Sequence, residues 1–146
     1  MDPTPSDRNA RVNTVALLGR AYSLLGFRIV DGVVGAGYPQ KPKHSAVFAQ
    51  LGPDGARLTT LATGAGMTPQ AMGELVDELE ELGYVRREPD PVDRRAKLVR
   101  LTPLGEQTVA SAAATITGIE HDLEDVLGTD GHAALRRMLE RILAEG

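Results

Sequence analysis

Apolar residues recur through VNTVALLGRAYSLLGFRIVDGVV mostly at helical spacing, which predicts a helix from about Asn9 to Val34. Its stripe of Val12, Val15, Ala16, Leu18, Tyr22, Leu25, Ile29 and Val33 is wider than one partner surface requires. Gly35, Gly37 and Pro39 end it. A short helix is predicted from about Pro42 to Leu51, then a turn from Gly52 to Gly55 and a very short strand at Arg57 and Leu58. Residues 59–65 read as a helix with Leu61 and Ala62 facing inward.

Gly66-Met67-Thr68-Pro69 is the clearest punctuation in the chain. Thr68 suits an N-cap and Pro69 the first helical position, where a missing N–H costs nothing. The helix that follows is predicted to run to Leu82 and stop at Gly83. Met72, Leu75, Val76, Leu79 and Leu82 form its apolar face, and Gln70, Gly73, Glu74, Asp77 and Glu81 the opposite one. Two short helices joined by a glycine-containing turn have the shape of a helix-turn-helix. Tyr84 to Arg87 and Ala96 to Leu101 read as paired strands, and Pro89 and Pro91 keep the segment between them out of a helix or a central strand. A hairpin in that place is a wing. Thr102-Pro103 repeats the cap-then-proline start of a long helix to about Val126. A break over Gly128 to Gly131 and a final helix carrying Leu135, Met138, Leu139, Ile142 and Leu143 complete the chain.

The expected fold is therefore mainly α with a small β-wing: a winged helix-turn-helix flanked by N- and C-terminal dimerisation helices. Residues 1–8 read as a disordered tail, 9–41 as the N-terminal dimerisation helix, 42–101 as the DNA-binding domain and 102–146 as the C-terminal dimerisation helices. The small domain cannot cover the apolar faces of the terminal helices, so a second copy is expected to do so. A two-fold dimer would present two recognition helices to a palindromic site in double-stranded DNA.

Charge sharpens this picture. The net charge of -4 points away from nucleic acid, but its distribution does not. Residues 68–82 carry five acidic and no basic groups, whereas 83–100 carry six basic and three acidic. The local field, rather than the total, matters at a phosphate backbone. Cysteine is absent, which excludes disulfides, thiolate metal sites and thiol redox sensing. Aromatic residues make up 3% of the chain, so the core must come from Leu, Val, Ala and Met. No apolar run suits a membrane span and the first residues do not resemble a signal peptide, so a soluble cytoplasmic protein is expected. His44, His121 and His132 share no ligand spacing, and no nucleophile–base pair, phosphate loop or HExxH pair occurs; neither a metal, a cofactor nor an enzyme is expected.

The segment LATGAGMTPQAMGELVDELEELGYVRREPDPVDRRAKLVRLTPLGEQ, residues 61–107, resembles the MarR family of transcriptional regulators in order, spacing and identity. The resemblance implies a dimer bound to palindromic operators, usually as a repressor relieved by a small phenolic or lipophilic ligand. It matches Asp93 and Arg95 to a wing motif in which the acid braces an arginine that enters the minor groove. Thr68, Pro69 and Gln70 match the start of the recognition helix. The sequence departs from the family at Gly73, where Ser or Thr is common, and at Glu74, where Arg is common.

The DNA-contacting set expected is Thr68, Pro69, Gln70, Gly73 and Glu74 on the helix, with Arg86, Arg87, Asp93, Arg94, Arg95 and Lys97 on the wing. Gln70 has the chemistry to pair with an adenine edge and Glu74 to accept from a cytosine amino group. The acids of the second half of that helix are expected to face sideways or pair with wing arginines. Effector candidates are Tyr22, Phe27, Tyr38, His44 and Phe48, the ring-bearing residues near the cleft where the family tends to bind ligands. The alternative is a winged-helix dimer with no small-molecule effector, either an activator or a protein-interaction module; the acidic recognition helix keeps it open.

Overall fold

The computed structural model describes residues 12–146, so the tail read over 1–8 lies outside the described residues. Helix α1 spans Thr14–Gly35 and is capped by Asn13, whose side chain accepts the Ala16 N–H at 2.8 Å. Residues 9–11, where the helix was expected to begin, lie outside the described residues. At the other end the Tyr38 N–H returns to the Val33 carbonyl at 3.2 Å, around Gly37 at φ 98°. The single helix expected from Pro42 to Leu51 is instead a 3-10 turn, Pro42–His44, running into one α-helical turn, α2, Ser45–Phe48. Helix α3 spans Leu58–Gly64 and α4 spans Pro69–Glu81. Gly66 at φ 65° makes the bend between them, and the Met67 N–H closes it on the Ala62 carbonyl at 2.9 Å.

Strands β1, Val85–Pro89, and β2, Lys97–Leu101, form an antiparallel ribbon with Val85 opposite Leu101 and Pro89 opposite Lys97. β1 extends two residues further than expected, since proline is tolerated where a strand edge needs no N–H partner. The short strand expected at Arg57 and Leu58 is not there. Ala56 makes the bridge, to Val99, while Arg57 takes the N-cap position of α3 and Leu58 begins the helix.

One core cluster holds this lobe together. Val47, Met72, Val76 and Leu79 are fully buried, with Leu61, Ala62, Tyr84, Val85 and Val99 nearly so. Removing each large aliphatic side chain from water contributes about 1.5–3 kcal/mol. Tyr84 is the aromatic the composition left out of account: Phe48 meets it edge-on at 5.8 Å, and its hydroxyl donates to the Pro39 carbonyl at 2.8 Å. Burial pushes the Tyr84 phenol above its ordinary pKa.

Helix α5 spans Pro103–Glu145 with one non-helical residue inside it, Gly128 at φ 74°, ψ 163°. This corrects the four-residue break expected over Gly128 to Gly131, because one glycine in a conformation closed to other residues suffices. Glu120 meets His132 at 2.9 Å and Arg136 at 3.4 Å. In a continuous helix Glu120 and Arg136 would stand about 24 Å apart. The chain therefore folds back on itself at Gly128. The first half of α5 runs antiparallel to α1, since Arg28 pairs with Asp122 and Gly32 lies against Thr115 further along. A Cβ on Gly32 would stand 2.6 Å from the Thr115 hydroxyl, so the helices pass at the closeness glycine permits. Val30, Val33 and Ile119 are buried there. Large apolar side chains are left uncovered in the protomer on both terminal elements: Val15, Tyr22, Leu24 and Phe27 on α1, and Val126, Met138, Ile142 and Leu143 on α5.

Candidate nucleic-acid interface

The amino-terminal end of α4 projects from the lobe. Thr68 caps it, its hydroxyl oxygen accepting the Ala71 N–H at 3.1 Å, and Pro69 follows at the first helical position. Thr68, Pro69, Gln70 and Glu74 are exposed, while Met72, Leu75 and Val76 turn into the core. Gly73 is half-buried; a Cβ there would find Leu58 at 3.7 Å, an ordinary contact. Leu82 is not part of the buried face: the helix ends at Glu81 and Leu82 is exposed.

The acids of the second half of α4 are held from two sides. Arg87 of β1 reaches Asp77 and Glu80, each at 2.8 Å, and its backbone N–H donates to the second Glu80 oxygen at 3.1 Å. Glu78 accepts from Lys43 at 2.9 Å and lies 2.7 Å from His44 Nε2. Those hydrogen bonds, the Lys43 one above all, draw the Glu78 carboxyl down to about 2. Among the described residues Glu74 and Glu81 have no cationic partner, so the acidity of this helix is largely answered inside the protein.

On the wing, Arg86 bonds Glu88 at 3.1 Å, and Arg100 pairs with the same carboxylate. Beyond β1 the chain turns on Asp90, which is 7% exposed. Asp90 accepts the Val92 N–H at 2.9 Å and the Arg57 Nε and Nη2 at 3.1 and 2.9 Å. The Val92 N–H first and Arg57 second hold its carboxyl below the usual range. Asp93 accepts the Arg95 backbone N–H at 3.1 Å, and its carbonyl accepts from Ala96 at 3.0 Å. This corrects one expectation: in the free protein Asp93 braces the backbone of the tip, not a guanidinium, because an aspartate bonds most readily to an N–H two residues on. Arg94, Arg95 and Lys97 are exposed, and none pairs with an acid among the described residues. Asp90 and Arg57, which hold the base of the wing loop, are not among the residues expected from the sequence. The available signal was Asp-Pro at 90 and 91, a turn-forming pair whose aspartate accepts from the N–H two residues on.

A helix-turn-helix, a wing and long flanking helices in this order describe a fold that known proteins share. The sequence model of the MarR family matches residues 41–96. The transcriptional repressor CouR, solved on a 23-mer DNA duplex, superposes with a TM-score of 0.76 at 27% identity over 98% of this chain and 99% of CouR. The chain is similar to the MarR family in sequence over residues 41–96 and in fold over nearly its whole length. CouR of Rhodococcus jostii RHA1 bound to p-coumaroyl-CoA is similar at 26% identity and a TM-score of 0.71, over 89% of this chain and 91% of that one. The transcriptional regulator HosA of Escherichia coli O111:H- is 35% identical over 72 residues, 49% of this chain and 53% of HosA. The match thus spans about half the length of that relative. These MarR-family relatives are transcriptional regulators rather than enzymes.

Within this MarR-family fold the five ring-bearing candidates do not gather. Tyr22 and Phe27 are exposed on α1. Tyr38 and Phe48 pack against the lobe core. His44 is 1% exposed with both ring nitrogens engaged: Nδ1 accepts the Lys41 N–H at 3.0 Å and Nε2 faces Glu78. An Nδ1 that accepts leaves the proton on Nε2, which donates to Glu78. No described helix is long and apolar enough to cross a membrane.

Proposed function

We propose that this protein is a cytoplasmic, homodimeric regulator of transcription that binds a palindromic operator in double-stranded DNA. The observation that carries this is the wing tip. Arg94, Arg95 and Lys97 are exposed and unpaired among the described residues, whereas Arg57, Arg86, Arg87 and Arg100 all pair with acids. Unpaired cations on a narrow ribbon beside an exposed helix N-terminus suit a duplex, with Arg95 in the minor groove and the others at phosphates. Thr68, Pro69, Gln70, Gly73 and Glu74 then face the major groove, with helix N–H groups available to phosphate. In this reading residues 42–101 are the DNA-binding lobe, and the uncovered faces of α1 and of α5 beyond Gly128 meet a second copy. Arg87 acts by holding the wing on α4, and Asp93 by shaping the loop that carries Arg95.

The reading extends to repression relieved by a lipophilic or aromatic ligand, supported by the CouR structures with DNA and with p-coumaroyl-CoA. Tyr22 and Phe27 are the ring-bearing candidates still open to a ligand in the protomer. Titration of a labelled duplex carrying the promoter of the protein's own gene tests the proposal. Nanomolar, salt-dependent binding lost in Arg95→Ala is the expected result. Equal weak binding to every duplex, unchanged by that substitution, would sink operator recognition. Release of the bound duplex by an aromatic acid or its thioester tests the ligand half.

A further inference from the structure

We infer that Arg57 is a positioning residue for the wing, acting through Asp90; the inference rests on the reading of the wing as a DNA-contacting element. Arg57 lies outside the wing, at the N-cap position of α3. Its neighbour Ala56 pairs with Val99 through two backbone hydrogen bonds of 3.0 and 2.8 Å, which adds a third short rung beside β2. That approach needs Gly55 at φ 75°, since a Cβ there would stand 2.7 Å from the Val99 carbonyl oxygen. Ala56 thus holds β2, and Arg57 holds the residue that follows β1.

The guanidinium donates twice to one Asp90 oxygen, while the other oxygen accepts from Val92. The Asp90 N–H meanwhile donates to the Ala96 carbonyl at 2.9 Å and closes the loop across its base. Every residue carrying the unpaired cations of the tip therefore lies within or just beyond a loop whose anchor is Asp90. The Asp90 side chain is 10% exposed, so without Arg57 it would be a nearly buried carboxylate left with backbone N–H partners at Val92 and Asp93 and no cation. The loop would have to open to hydrate it. Arg94 and Arg95 would then lose the fixed departure angle that a groove contact requires.

A direct phosphate contact by Arg57 is the competing role, because 46% of its side chain is exposed. Four variants separate the two: Arg57→Ala, Arg57→Lys, Asp90→Asn and the double Arg57→Ala/Asp90→Asn. Each is measured by duplex titration and by amide hydrogen exchange in the DNA-free protein. If Arg57 acts through Asp90, Arg57→Ala and Asp90→Asn each weaken binding by about tenfold, and the double variant is no weaker than Arg57→Ala. Arg57→Lys keeps the charge but not the fork, and restores little of the loss. The Val92 and Ala96 amides exchange faster in both single variants, while those of Leu61 and Leu79 keep their protection.

Wild-type binding by Asp90→Asn alongside weakened Arg57→Ala would overturn the inference, as would additive losses or unchanged exchange at the tip. If the wild-type protein binds no duplex, the regulator reading fails. The exchange measurement in the free protein still decides whether Arg57 orders the wing.

Discussion

Arg87 binds Glu80 twice, through its guanidinium at 2.8 Å and its backbone N–H at 3.1 Å. The first wing strand and α4 are therefore tied through both the side chain and the main chain of Arg87. Arg87→Ala is expected to destabilise the fold by about 1 kcal/mol, since its partners are partly solvated. Arg87→Lys should recover only part of this, because one ammonium cannot span Asp77 and Glu80 as the fork does. Thermal melts of the three proteins check the order.

Glu78 gives the fold an acid-sensitive joint. Its carboxyl is drawn from 4.5 to about 2, so its contribution to stability is complete above pH 4.5 and fades as pH falls towards 2. Glu78→Gln should melt lower than wild type at pH 7. The gap should narrow as both are acidified through that window. A constant gap down to pH 2 would mean that the Lys43 and His44 bonds contribute nothing.

Gly73 sits inside α4 with room for a methyl group. Gly73→Ala should stabilise the protein by about 0.5–1 kcal/mol by restricting the unfolded chain and favouring helix. Calorimetry should show a melting temperature raised by about 1–4 °C.

Gly128 is the reverse case. Its φ of 74° and ψ of 163° fall in a region that is essentially closed to side chains. Gly128→Ala should cost about 1–3 kcal/mol or straighten the fold-back that joins Glu120 to Arg136. A longer maximum dimension in solution scattering would report the straightened form, and a lower melting temperature the strained one.

Much of this was legible in the sequence, and what was not has a physical pattern. Thr68-Pro69 and Thr102-Pro103 announced their helices because a cap and a proline act locally. The heptad-like run from Met72 to Leu79 announced its buried face for the same reason. The interface was harder. Six basic residues in 83–100 look alike in the sequence, yet Arg86, Arg87 and Arg100 are answered by Glu88, Asp77 and Glu80, and among the described residues only the tip remains unpaired. Those partners are set by strand register and by the docking of β1 on α4, which no local pattern carries. Arg57 and Asp90 stand 33 residues apart and meet only in the fold. His44 looked available because nothing in sequence brings Glu78 to it.

Gly105 has no side chain, and a Cβ there would lie 2.0 Å from the Tyr84 carbonyl oxygen. That same oxygen accepts the Thr102 N–H at 3.0 Å, while the Thr102 hydroxyl donates to the Gly83 carbonyl at 2.5 Å. The start of α5 thus rests backbone to backbone on the residues that lead from α4 into the wing. The base of the wing and the start of α5 therefore share one close-packed seam, in which a side chain at 105 has no room.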